Sequence, residues 1–460
     1  MIFAHALAGK QDLPIPEWLF SWGAALVLIV SFVALSLAWR EPRLEGDRWR
    51  GLSERLSSVL LGPATQVLAG LIGIVLLGVT VWSGLYGTEA PDRNFSVTFV
   101  FVTVWLGFVV VSVLFGDVFR AFNPWRALAR SVAGVFRLVA GQQPPPPLAY
   151  PERWGRWPAA AGLLAFVWLE LVYSQSFQAV GLTPHTVGVA TLVYSAYTSV
   201  GMALFGIEKW CDRGETFSVY FGMFARLSPF EVRDGRLGRR PWLAGAGDWA
   251  SVPGSVAVVL LTIAATTYDG GQEGVLSEPI NSLFDVFTDA GLGPVASLRV
   301  TGSLFLAATV GVVCGIYWAG VTGMGTPQAG GSLGKLGRAF AHSFIPIALA
   351  YLFAHYFTLV LFQEQAQFGF LLSDPLGDGS DYFGTAGSGI DYGLIGAEAV
   401  WYLQVAALVI GHVTALAMGH ERALAIYPSV RRATQSQYWM LGLMVSFTVL
   451  GLVLLSAANG

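Results

Sequence analysis

Apolar residues run almost unbroken at ten places along the chain, roughly 17–39, 64–86, 95–116, 157–177, 184–206, 252–268, 295–321, 339–362, 394–418 and 438–457. Most of these runs approach or exceed the roughly 20 residues a helix needs to cross hydrocarbon. They are continuously apolar, whereas strands of a membrane barrel would alternate polar and apolar positions. The pattern therefore predicts an all-α fold, a polytopic transmembrane helix bundle of about ten spans forming one integral domain over residues 1–460.

The polar segments between the runs set an orientation. Basic residues concentrate on the cytoplasmic side of membrane proteins. With the N-terminus outside, the inner segments 40–63, 117–156, 207–251, 322–338 and 419–437 hold 23 of the 26 Lys and Arg. Only Lys10, Arg93 and Arg299 fall on the outer side. The expected location is the plasma membrane, crossed many times, with the bilayer as the first partner.

Within segment 117–156, FRAFNPWRALARSVAGVFRL alternates Arg with Trp, Phe and Leu near helical spacing, and Asn123-Pro124 marks a helix start. It reads as an amphipathic helix in the inner headgroup layer, followed by a stiff connector at Pro144–Pro147. Within segment 207–251, the short apolar stretch 216–227 has basic flanks and reads as interfacial or re-entrant. Gly323–Gly334 reads as a Gly-rich flexible inner connector. The outer segments 268–294 and 363–393 are acidic loops, the first including Asp269 and Glu273. DPLGDGSD in the second lacks the bidentate Glu offset of an EF-hand, so it reads as solvated.

Composition narrows the class further. The chain is 54% hydrophobic and 12% charged, against about 25% charged in soluble proteins. The net charge of −3 and the lack of a basic tail offer nothing to nucleic acid. Cys211 and Cys314 lie in different segments and read as free thiols. The first run has no small-residue cleavage site and is expected to stay in the membrane.

The candidate chemistry is what remains polar inside the runs, because ionisable groups in hydrocarbon are costly and face a bundle interior. Four of the six histidines, His342, His355, His412 and His420, stand on 339–362 and 410–422. At ~1.5 Å per residue, His342 and His412 fall about 13 and 8 Å inward of their run midpoints, near Tyr351 and Ala406, and His420 about 20 Å inward. His342, His412 and His420 thus form a candidate divalent transition-metal site, zinc first. The bland alternative is neutral imidazoles bonding between helices.

His355 falls about 6 Å outward, in the half that holds Glu170 and Asp269. These three are the candidate catalytic set, with Glu170–His355 pairing as ligands, as base and orienter, or in a proton relay. His5 and His185 are placed at the outer surface. No P-loop, dinucleotide fingerprint, serine elbow or haem-attachment motif is present. The aromatics gather at run ends, as an interfacial belt would.

Several stretches carry a resemblance: AHALAGKQDLPIPEWLFSWGAALVLIVSFVAL, GDVFRAFNPWRAL, FSVYFGMFARLSP, HSFIPIALAYLFAHYFTL and GHVTALAMGHERAL. Together they are similar to a family of polytopic actinobacterial membrane proteins commonly labelled fenitrothion hydrolase. The resemblance implies cleavage of a hydrophobic phosphotriester by activated water, for which a bound metal is the usual means. Two other readings stay open. A transporter would use Glu170 and His355 for substrate or protons, although the halves show no self-similarity. A b-type haem carrier would use histidine pairs. The sequence leaves substrate and oligomeric state open.

Overall fold

The computed structural model describes residues 17–44, 48–175, 182–247, 249, 252–272, 274–325 and 331–459. His5, Lys10, Glu273 and the middle of the Gly-rich connector lie outside these residues. The fold is all-α, and a helix occupies each of the ten apolar runs. We label these α1 Glu17–Ala38, α2 Pro63–Tyr86, α3 Phe95–Phe115, α4 Pro124–Ala140, α5 Trp157–Trp168, α6 Pro184–Phe205 and α7 Thr216–Ala225. Then follow α8 Ser255–Gln272, α9 Pro294–Met324, α10 Ile345–Ala366, α11 Ala397–Ile426 and α12 Val430–Asn459, with α4 and α7 additional to the ten.

Among the described residues, seven helical stretches are long and apolar enough to cross a membrane. They contain α2, α3, α6, α9, α10, α11 and α12. Their outward faces stay apolar: Val67, Leu71 and Val75 on α2 are exposed, as are Val193 and Val200 on α6. In water that surface would be unfavourable; against lipid tails it costs nothing. The chain is a membrane protein with transmembrane helices. Three expected spans are less clear-cut, for α1 offers only a short apolar stretch, α5 is brief, and α8 is largely buried in the protein.

Packing divides the helices into two groups. In the first, α2 packs on α6 and α4, while α7 lies against α3 and α5. In the second, α11 packs on α10 and α12, α12 on α1 and α9, and α8 on α9 and α10. The groups meet where α8 touches α5 and α10 touches α3 and α7. Eight of the ten residues of α7 are buried, including Tyr220, Phe221 and Phe224. It is packed inside the protein over most of its surface.

Local sequence explains most helix ends. Asn123 caps α4 by accepting from Arg126 N at 2.9 Å, Pro124 occupies the first turn, and Gly141 ends the helix at φ 67°. Before α10, the helix Leu333–Ala341 gives way to a 3-10 turn at His342–Phe344, so 339–362 is not one straight helix. Pro346 in the first turn of α10 lacks an N–H, which suits this break. A small three-stranded antiparallel sheet, β1 Arg50–Gly51, β2 Phe230–Arg233 and β3 Arg236–Arg239, is an addition to the expected helices. Its hairpin turns at Asp234-Gly235, both at positive φ.

Two acidic loops are shorter than their sequence implied. Helix α8 continues to Gln272, and Ser277–Asp289 is a further helix. After α10 the chain stays helical to Leu371.

Candidate functional site

Helix α8 shows why one polar residue is exceptional. Its Thr262, Thr266 and Thr267 hydroxyls donate back to carbonyls of their own helix at 2.9, 3.1 and 2.8 Å. A hydroxyl can satisfy itself this way, but a carboxylate only accepts and needs donors. Asp269, 8% exposed, finds them mainly on α10. His355 Nε2–H donates to Asp269 Oδ2 at 2.9 Å and Tyr356 O–H donates to the same oxygen at 2.6 Å. Gln272 Nε2 donates to Oδ1 at 2.8 Å. Consecutive residues on α10 therefore converge on a single oxygen.

Glu170 enters from the other helix group. After Trp168 the helix widens into a π-helical turn, Leu169–Tyr173, which carries Glu170. Such turns displace side chains from the regular helical positions and are frequent at functional sites. Glu170 Oε2 is buried and has no hydrogen-bond partner among the described residues. Asp269 and Tyr356 lie within electrostatic reach of it, as does Tyr220 of α7. The cluster thus draws Glu170, Tyr220, Asp269, His355 and Tyr356 from α5, α7, α8 and α10, across the seam between the groups. The expected Glu170–His355 contact is not among the hydrogen bonds; Asp269 is the partner His355 takes.

The other two π-helical stretches border the same seam. Phe99–Gly107 in the middle of α3 presents Thr103, whose hydroxyl donates to Glu364 Oε2 of α10 at 3.2 Å. Glu364 Oε1 is buried without a partner, and Gln367–Leu371 is the third such stretch. Glu364 belongs to the helix rather than to the outer loop the sequence placed it in. Widened turns leave no pattern of residue types, so their positions were invisible beforehand. Tyr220 was hidden for a different reason: its short apolar helix read as interfacial or re-entrant, with no partner for the residue in view.

The inner histidines are arranged differently. His412 Nδ1 donates to Leu408 O of its own helix at 2.7 Å, and His420 Nε2 donates to Trp39 O at 3.0 Å. The His412 ring lies 6.0 Å from that of Tyr351, near the middle of α10. Gly419, by contrast, sits beside Ser343. His342 is therefore level with His420, and about 12 Å along the axis from His412. The expected shared depth of His342 and His412 does not hold, because two helices of unequal length pack with their midpoints offset. Among the described residues, no three His, Cys, Asp or Glu side chains are grouped as a metal would require. His342, His412 and His420 are not such a group, although one ring nitrogen of each is buried without a hydrogen-bond partner among the described residues.

No protein-family model matches the chain, and neither a curated protein nor a solved structure does. The site must be read from its own chemistry.

Charged groupings also lie outside the spans, among them a cluster around Glu208 and the acidic loop after α10. Glu208, between α6 and α7, bonds Arg126 at 3.0 Å and Arg130 at 2.7 Å, and also Arg120. Partial burial pushes its carboxyl up, but the three guanidiniums outweigh this and hold it below the usual range. In the acidic loop, Asp374 accepts from the N–H groups of Asp378 and Gly379 at 3.0 and 2.9 Å. Asp378 is held low first by Ser380, and Asp381 first by Ser373. These carboxylates serve to fold the loop, each against its own neighbours.

Proposed function

We propose that the protein is a proton-coupled transporter of the plasma membrane, with ten spans and its N-terminus outside. The Asp269–His355 pair, with Glu170 beside it, carries the proton. One observation carries the reading: a buried carboxylate on α8 takes two donors from α10, while a second, Glu170, stands near it from across the seam with no hydrogen-bond partner for its buried Oε2 among the described residues. Such a set can exchange a proton without opening a bare charge to hydrocarbon. When Asp269 is protonated it no longer needs His355 as a donor, so α8 and α10 are bound differently in the two states. That difference is what couples a proton to helix movement. Helices at all ten runs and the partition of Lys and Arg support the span count and orientation.

Proteoliposomes loaded with a pH-sensitive dye test this against a panel of organic ions and amphiphiles. Solute entry should acidify the lumen in the wild type and not in Asp269→Asn or His355→Gln. Uptake that leaves luminal pH unchanged in the wild type overturns the reading. So does an infrared titration in nanodiscs in which neither Glu170→Gln nor Asp269→Asn removes a titrating carboxyl band.

The Asp269–His355 bond also favours a second reading, a membrane hydrolase in which Asp269 orients His355 as the base for an attacking water. The resemblance to fenitrothion hydrolases would make its substrate a phosphotriester. Release of an aryl alcohol should then fall by at least about 100-fold in His355→Gln. Equal rates in variant and wild type would exclude it.

A further inference from the structure

On the other side of α5 from Glu170 lies a cavity of about 1010 Å³. It opens between α2, α3, α5 and α6, and its walls are apolar over almost their whole length, from Leu76 and Phe101 to Ala165 and Ala190. The extent of α6 along it, from His185 to Tyr197, is roughly 18 Å, more than half the hydrocarbon thickness. A solute that fills such a space is a chain rather than a compact polar molecule.

No charged residue lines the cavity, and its two ends differ in the charge that stands next to the lining. At one end stand Trp125, Tyr197 and Thr216, all uncharged. At the other, the π-helical turn after α5 finishes at Tyr173 and α6 begins at Pro184–His185. Arg299 of α9 lies over the Tyr173 ring, its guanidinium carbon 4.0 Å from the centroid. Its Nε is buried without a hydrogen-bond partner, and no carboxylate pairs with Arg299 among the described residues. The start of a 22-residue helix adds the positive end of its dipole at the same mouth, although Pro184 has no N–H and Thr183 already accepts from Thr186 N and Val187 N. An apolar slot with positive charge at one end complements an amphiphile with an anionic head.

We propose that this cavity seats one anionic phospholipid of the bilayer, with an acyl chain between α2, α3, α5 and α6. Its phosphate lies at the mouth formed by Arg299 and the start of α6. Glu170 takes no part in this site, which stands whether or not the proton relay does. The lipid would nevertheless touch the π-helical turn that carries Glu170, because Leu169 and Tyr173 line the cavity.

The full-length protein is reconstituted in nanodiscs of equal phosphatidylglycerol and phosphatidylcholine, released into mild detergent and weighed intact by native mass spectrometry. The wild type should retain one phosphatidylglycerol per chain. Ala165→Trp fills the cavity and should abolish retention. Arg299→Gln should keep a lipid but lose about fivefold in preference for phosphatidylglycerol. Should Ala165→Trp fail to stay monodisperse, Ala190→Phe replaces it, and spin-labelled phosphatidylglycerol in intact bilayers gives a second reading on Arg299→Gln. Equal retention of both lipids by the wild type overturns the proposal. Unchanged retention in the filled-cavity variants, or a mass matching a free fatty acid or detergent alone, does so too.

Discussion

His355 and His342 stand on the same apolar stretch of sequence, yet their surroundings have little in common. His355 donates to a carboxylate on a helix far away in the chain, inside a cluster assembled from four helices. His342 sits in a 3-10 turn at the foot of α10, and the α11 histidines each bond a backbone carbonyl through one ring nitrogen, the other having no hydrogen-bond partner among the described residues. A buried imidazole bonded to a main-chain carbonyl is a helix-packing device. One bonded to a buried carboxylate has a partner whose charge can change. The contrast lies in the partner as well as in burial, for the His355 side chain is 13% exposed while His342 is buried.

The largest effect that sharpens this contrast is expected at Asp269. Asp269→Ala leaves two buried donors on α10 unsatisfied, at about 1–3 kcal/mol each. The thermal unfolding midpoint in detergent should fall by several degrees, with Asp269→Asn falling less. A midpoint equal to the wild type in Asp269→Ala would dissolve the distinction between the two regions.

Next comes Tyr356→Phe, which removes one of the two donors to Asp269 Oδ2 and keeps the ring. A loss of about 1 kcal/mol is expected. The double variant with Asp269→Ala should lose less than the sum of the two single losses, since both act on one bond. Strict additivity in that thermal-shift cycle would show that the two side chains do not interact.

His412→Leu should cost still less, under about 1 kcal/mol, because the carbonyl it releases already accepts within its helix. It should also leave the elemental metal content of protein purified without a metal-affinity column unchanged. A loss of bound zinc in that variant would restore the inner histidines as a metal centre.

The smallest effect belongs to the headgroup-level ion cluster. The Glu208 carboxyl is held low in the fold, so its contribution is complete above the ordinary carboxylate range. It is lost as pH falls through the depressed folded value. Hydrogen exchange in the helix Ile207–Arg213 should therefore rise only at acid pH, and should rise further with salt. A change near neutral pH would assign the protection to some other group.

Legibility differed sharply between fold and site. The ten helices could be read because each must bury its own polar backbone and present an apolar surface, and both needs are written locally. Asp269, Glu170 and His355 could be suspected singly, as costly groups in apolar runs. Their partners could not: the pairing with Asp269 depends on α8 lying beside α10. The estimated depths of His342 and His412 failed for a related reason, since the midpoint of each run says nothing about how two helices slide past one another.

By itself, then, the sequence determined the class of protein, the helices, the sidedness bias of Lys and Arg, and which buried residues would need a partner. These follow from one-dimensional requirements of hydrocarbon on a chain. Only the tertiary structure decided that Asp269 serves His355 and Tyr356 and that three widened turns border one seam. It likewise decided that α7 packs inside the protein and that an apolar cavity opens between α2, α3, α5 and α6. Each of those depends on distances between helices far apart in the chain, which local periodicity does not encode.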